Sequence, residues 1–191
     1  FRSVYLDDIL IFSKTLQEHI SHVRTALERL RTAKLYGRLH KCEFFQKSVE
    51  YLGFQVSSNG VKASEEKIRA IIDWPQPRSV KDIRSFLGLT NYYRRFVKDF
   101  SKIARPLTNL MQAKVKFQWG QDQEAAFNRL KYLLAIAPIL RLPDFALEFI
   151  LTTDASSASV GAVIEQDYGR GLQPVAYDSR KLSDTEARYS A

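Results

Sequence analysis

Cysteine is almost absent from this sequence: Cys42 is the single one among 191 residues. An intramolecular disulfide framework is thereby excluded, and the chain suits a reducing compartment. Long apolar runs are missing too. None approaches the roughly 20 residues that a bilayer-crossing helix needs, so no membrane partner is expected. No internal repeat and no low-complexity stretch is present. The first residues lack the basic start and cleavage site of a signal peptide. The chain opens on Phe1 rather than Met, as expected of a processed product or an internal segment.

What is abundant is positive charge. Lys and Arg number 29 against 21 Asp and Glu, giving a formal net charge of +8 and a pI of about 9.6. Each Lys or Arg placed on a phosphate releases counterions, so a basic surface favours polyanions, nucleic acid among them. The hydrophobic fraction of 45% is enough for a real core.

The patterning is mixed. Val4 to Phe12 is apolar and β-branched on both sides of Asp7-Asp8, which predicts a tight hairpin with a carboxylate-bearing turn. Thr15 with Glu18 three residues on has capping-box form. Leu16, Ile20, Val23, Leu27 and Leu30 then predict an amphipathic helix to about Lys34. Val49 to Val56 reads as one strand, and Ser57-Ser58-Asn59-Gly60 as a turn. Ser64 is expected to cap a short helix that stops at Trp74-Pro75.

Beyond the stiff Gln76-Pro77-Arg78 segment the pattern turns helical. Ser79, with Asp82 three residues on, begins a helix carrying Ile83, Phe86, Leu87 and Phe96. A second helix is expected near Ile103 to Met111 and a third from about Asp122 to Ala135. Strands follow at Ala146 to Asp154, Val160 to Gln166 and Leu172 to Tyr177. These three unlike segments argue against a single core.

Two adjacent carboxylates on a hairpin turn present hard oxygen donors, which suit magnesium. Taken alone, Asp7-Asp8 also fits an ordinary acidic surface turn. The surrounding residues decide between the two. The run VYLDDILIFS at Val4 to Ser13 resembles the polymerase active-site hairpin of reverse transcriptases, those of gypsy-type long-terminal-repeat retrotransposons above all. YLGFQVSSNG at Tyr51 to Gly60 resembles that family's primer-grip hairpin. FLGLTNYYRRFVKDFSKIARPLTNL at Phe86 to Leu110 resembles its thumb. LTTDASSASVGAVIEQ at Leu151 to Gln166, with PVAYDSRKL at Pro174 to Leu182, resembles the start of its ribonuclease H domain.

The resemblance implies an α+β, multi-segment architecture. Residues 1–76 would be the C-terminal palm, 77–143 a helical thumb or connector, and 144–191 the N-terminal part of a ribonuclease H-like domain. It implies catalytic, metal-binding carboxylates at Asp7, Asp8 and Asp154, with Mg2+ (or Mn2+) as cofactor. Nucleic-acid contacts are implied at Tyr5, Leu52, Gly53 and Phe54, and at Arg84, Arg94, Arg95 and Lys98 of the thumb. The implied activity is RNA-directed DNA polymerase with ribonuclease H. Its partners would be an RNA/DNA template–primer, dNTPs, and the protease and integrase segments of a polyprotein, in the cytoplasm or a virus-like particle.

Glu165, Asp167 and Glu186 fall outside that pattern, and Asp178 reads as surface variation. The family's third polymerase aspartate and its remaining nuclease carboxylates are expected outside residues 1–191, so the stretch alone is expected to be inactive. A different class of reading is a non-catalytic nucleic-acid-binding remnant. A zinc module built on His19, His22, His40 and Cys42 fits no standard ligand spacing.

Overall fold

The computed structural model describes residues 1–113, 115–157, 159–183 and 185–188. They fall into two compact units, Phe1–Leu52 and Gly53–Ala191.

In the first unit, β1 (Arg2–Tyr5) and β2 (Asp8–Ile11) form the expected hairpin, paired from Arg2↔Ile11 to Tyr5↔Asp8. Helix α1 (Leu16–Thr32) starts on the expected box: the Glu18 amide donates to Thr15 Oγ1, and the Thr15 amide donates to Glu18 Oε2, both at 3.2 Å. It ends just short of Lys34, which is left-handed. Strand β3 (Ser48–Tyr51) closes the unit. Within this unit Ala26 is the only buried residue; Leu16, Leu27, Leu35 and Tyr36 lie exposed. The apolar stripe of α1 is therefore largely without cover, and burial contributes little to holding these 52 residues.

The second unit opens with β4 (Phe54–Ser57) and β5 (Gly60–Ala63), joined through Ser58-Asn59. The expected continuous strand from Val49 to Val56 is broken, because Leu52 and Gly53 both take positive φ (51° and 71°), outside the extended region. Ser64 heads α2 (Glu65–Ile72) as expected, but its side chain makes no cap; the hydroxyl is buried and unpartnered among the described residues. Ser79 does cap α3 (Val80–Tyr92), accepting from the Asp82 amide at 3.2 Å. This helix ends at Tyr92, so Phe96 lies in a separate 3-10 turn while staying buried. Helix α4 (Phe100–Asn109) starts about one turn earlier than expected and places Pro106 in its interior. Helix α5 (Gln121–Ala135) follows the expected span.

These elements share one core. Ile71 of α2, Ile83 and Phe86 of α3, Leu107 of α4, and Leu130 of α5 are fully buried in a cluster that runs from Ala63 to Leu140. Phe86 meets Phe127 at 4.6 Å and Trp74 at 6.0 Å between ring centroids. The stretch around exposed Gln76 thus links α2 to α3, two helices that contribute to the same buried cluster. The cause is tertiary: the stripes of α2, α3 and α5 are complementary to one another, which no local pattern reveals.

The last strands, β6 (Ile150–Ala155), β7 (Ser159–Asp167) and β8 (Leu172–Lys181), form an antiparallel sheet in the order β6-β7-β8. β6 begins four residues later than the apolar pattern suggested. Residues before it are held by the buried Gln166, whose Nε2 donates to the Asp144 carbonyl at 2.7 Å and the Leu147 carbonyl at 3.1 Å. The whole is the α+β class expected from the sequence.

Candidate functional site

The Tyr5–Asp8 hairpin is built so that its turn must face solvent. Strands of four residues flank a two-residue connection, Leu6-Asp7. Leu6 takes φ +53° and is 85% exposed. A non-glycine residue there costs on the order of 1–2 kcal/mol, and an exposed leucine recovers none of it by burial. Strain of this kind concentrates at functional turns. Asp7 in the turn and Asp8 at the start of β2 are both exposed, as is Tyr5. Among the described residues no three His, Cys, Asp or Glu side chains converge on one point. His19 and His22 instead meet the Ser13 hydroxyl through their Nδ1 atoms, at 3.2 and 2.8 Å.

Leu52 and Gly53 both take positive φ, and Gly53 is braced closely within its own unit. The Gly53 carbonyl accepts from the Tyr93 hydroxyl and from the Ser64 amide, each at 3.0 Å. A Cβ on Gly53 would stand 3.1 Å from the Tyr93 hydroxyl oxygen. Phe54 stacks on Tyr92 (5.1 Å, 20°) and meets Tyr93 edge-on at 5.6 Å. The side of Gly53 and Phe54 that packs inward is thus fixed by α3 and the residue after it, leaving local backbone geometry little freedom.

Of the basic residues read as phosphate contacts, Arg84, Arg95 and Lys98 are exposed. Arg94 is not free in the same way. Its guanidinium pairs with Asp178 at 2.9 Å, donates to the Ser179 carbonyl and lies 5.9 Å over the Phe100 ring. Ser179 also ties down α4: its hydroxyl accepts from the Ser101 amide at 2.9 Å, and its carbonyl accepts from the Ser101 hydroxyl at 2.8 Å. Asp178, read from sequence as surface variation, is thereby one half of an ion pair between the helices and β8.

Asp154 lies on β6, exposed, opposite Gly161 of β7. A Cβ on Gly161 would stand 2.6 Å from Asp99 Oδ1, so a side chain there would shift the Asp99 carboxylate. Glu186 was left out of the site on sequence grounds, and its surroundings give it other work. The Arg180 guanidinium reaches its two oxygens at 2.6 and 3.0 Å, and the Ser183 amide and hydroxyl donate at 2.8 Å.

The Arg180 hydrogen bonds foremost, then those from Ser183, hold the Glu186 carboxyl down at about 2 against an ordinary 4.5. A carboxyl depressed on folding contributes stability that is present above its unfolded value and lost as pH falls through its folded one. The clasp is therefore expected to stay closed near pH 4.5 and to open on acidification towards pH 2. Side-chain carboxyl NMR of Glu186 checks this; a midpoint near 4.5 contradicts the clasp.

The chain is similar to known proteins along nearly its whole length. Residues 1–56 match the reverse transcriptase (RNA-dependent DNA polymerase) family, and residues 119–191 match the RNase H-like domain found in reverse transcriptase. Over 98% of its length the chain is 43% identical to the retrovirus-related Pol polyprotein from transposon gypsy and 42% identical to that from transposon 297, both of Drosophila melanogaster. It is 39% identical to the transposon Tf2-3 polyprotein of Schizosaccharomyces pombe over 97% of its length.

The chain carries a reverse transcriptase segment and an RNase H-like segment, similar to those of retrotransposon Pol polyproteins.

It spans about a fifth of the length of the transposon gypsy and 297 polyproteins and 14% of the Tf2-3 polyprotein. Among solved structures it resembles the foamy viral protease-reverse transcriptase. With that protein in complex with double-stranded DNA, the TM-score is 0.87 at 27% identity, covering 99% of this chain and 33% of the other. With the RNA/DNA hybrid complex, the TM-score is 0.83. In this chain, sequence reasoning missed Tyr93 as the brace of Gly53. The tyrosine pair was visible, but a contact 40 residues away has no local signature. It also missed the Arg94–Asp178 pair, for the same reason.

Proposed function

We propose that this chain serves RNA-directed DNA synthesis coupled to ribonuclease H cleavage, as part of a retrotransposon polyprotein. Asp7 and Asp8 are its polymerase carboxylates and Asp154 its first nuclease carboxylate. Leu52, Gly53 and Phe54 hold the primer end, Tyr5 contacts the template–primer, and Arg84, Arg95 and Lys98 grip backbone phosphates. The polymerase palm extends to residue 76 and the thumb to 143. The observation that carries this reading is the Tyr5–Asp8 turn: two carboxylates on a strained, exposed two-residue connection, inside the segment that matches the reverse transcriptase family.

Reverse transcriptase and RNase H-like families use divalent metals, and the donors here fit magnesium, with manganese as substitute. Asp7 and Asp8 offer exposed, hard carboxylate oxygens, and magnesium is commonly held by one or two carboxylates together with substrate phosphates. Bound there, the ion supplies charge stabilisation to the transferring phosphoryl group. The protein's own part is positional: the hairpin fixes the carboxylates, and the Tyr93 bond fixes the Gly53 backbone. The substrates are an RNA/DNA template–primer and dNTPs, and the other Pol segments are covalent partners before processing, in the cytoplasm or a virus-like particle.

Asp8→Asn in the polyprotein containing this chain is expected to reduce primer extension by on the order of 100-fold or more. Template–primer affinity should stay within about threefold. Undiminished extension would sink the assignment. The 191 residues alone bring together no three metal-ligating side chains among those described. By themselves they are expected to bind nucleic acid without extending a primer or cleaving a hybrid. Metal-dependent activity lost on Asp8→Ala would contradict that.

A further inference from the structure

The Tyr5–Asp8 hairpin has little apolar packing to hold it. Its strands are four residues each, and a two-stranded ribbon is marginally stable by itself. Ala26 is the only buried residue of its unit. Against that background Ser13, His19 and His22 are half-buried while most of their neighbours are exposed. Ser13 follows β2, and both histidines belong to α1. The Ser13 hydroxyl oxygen lies 2.8 Å from His22 Nδ1 and 3.2 Å from His19 Nδ1. Phe1, just before β1, stacks on His22 with ring centroids 4.1 Å apart and planes within 7°. The Phe1 carbonyl accepts from the Phe12 amide at 2.9 Å, and Phe45 meets His19 edge-on at 5.3 Å. His22 therefore holds the residue before β1 by its ring and the hydroxyl after β2 by its Nδ1.

We propose that Ser13, His19 and His22 are positioning residues, clasping the open end of the hairpin to α1 and so fixing where the Asp7 and Asp8 carboxylates stand. This rests on the reading of those carboxylates given above. The two short strands act as a lever, and movement at the open end is carried to the turn. A serine hydroxyl has one proton to give. Facing two Nδ1 atoms, it donates to one imidazole, and the other must carry its own proton on Nδ1 and donate to the serine oxygen. The histidines are thus held as a complementary pair, with Ser13 the part that neither replaces. Another side-chain bond reaches β1, from the Tyr51 hydroxyl to Ser3 Oγ at 3.3 Å, but it is exposed and meets the strand between its ends.

The test joins NMR of the full chain to primer extension by the polyprotein that contains it. With both rings neutral, imidazole nitrogen shifts are expected to show one of the two histidines protonated on Nδ1 and the other on Nε2. Both protonated on Nε2 overturns the shared hydroxyl. Ser13→Ala is expected to speed amide exchange across β1 and β2 about tenfold, as the loss of ordinary hydrogen bonds would. Amides of α3 and α5 should be unmoved, which shows that the rest of the fold is kept. Thr32→Ala, which removes a hydroxyl bond to the Glu28 carbonyl at the end of α1, should leave the hairpin unmoved. Hairpin amides no faster in Ser13→Ala than in the wild type overturn the clasp. In extension, Ser13→Ala should lower kcat about tenfold, with template–primer affinity within about twofold, since small misplacements of reacting groups are costly. Ser13→Thr, which keeps the hydroxyl, should recover most of the rate. A loosened hairpin with kcat unaltered overturns the positioning role alone. The reading of Asp7 and Asp8 fails separately, on undiminished extension by Asp8→Asn.

Discussion

Replacing Gly60 by alanine is expected to destabilise the Gly53–Ala191 unit by about 3 kcal/mol or more, near the top of the range for single substitutions. Two independent penalties meet at this position. The backbone holds φ at +131°, a region that L side chains rarely adopt. An added Cβ would also stand 2.1 Å from the Leu140 carbonyl oxygen. That oxygen cannot move away cheaply, because it accepts from the Val61 amide at 2.8 Å while the Leu140 amide donates to the Val61 carbonyl at 2.9 Å. This pair of bonds ties β5 to the residue that closes the core after α5. Urea unfolding measures the change directly, and a loss under about 1 kcal/mol would show that the strand and Leu140 separate without cost.

Phe86→Ala carries the second large effect, an expected loss of about 3–5 kcal/mol. The ring is fully buried, meeting Phe127 of α5 and Trp74 beyond α2. Its removal opens a cavity where three segments meet. The consequence reaches further than α3, since α4 is bonded to β8 through Ser101 and Ser179. The variant is expected to unfold in one transition by tryptophan fluorescence, which reports Trp74 and Trp119 near the core, and by far-UV circular dichroism, which reports β6 to β8 as well. A separate transition of the final sheet, distinct from any melting of the Phe1–Leu52 unit, would mean that the helical core and that sheet fold independently.

How much of this was legible in the sequence follows from the range of each interaction. The Thr15–Glu18 box, the Ser79 cap, the Tyr5–Asp8 hairpin and the Ser57–Gly60 turn are set by neighbours three or four residues apart, and all form as read. The order of motifs also led to the right family. Interactions between distant residues were not legible. Phe96 continues the apolar spacing of α3, yet the helix stops at Tyr92 and a 3-10 turn buries the ring by another route. Arg94 carries the same charge as its neighbours, and its partners Asp178 and Ser179 lie some 85 residues on, so that pairing has no local signature. Leu52 looks like strand core, and only its positive φ reveals a turn. The candidate site divides in the same way. Asp7, Asp8 and Asp154 were named from motifs, whereas Tyr93 as the brace of Gly53 required the fold.

The central claim is that this chain handles nucleic acid through its phosphate backbone. The most direct measurement is the affinity of the unaltered chain for an RNA/DNA hybrid as salt is raised. The account predicts measurable binding whose logarithm falls linearly with log salt, with a slope of about −3 or steeper, corresponding to several neutralised phosphates. Binding that is absent at low salt, or that does not weaken as salt rises, would contradict it.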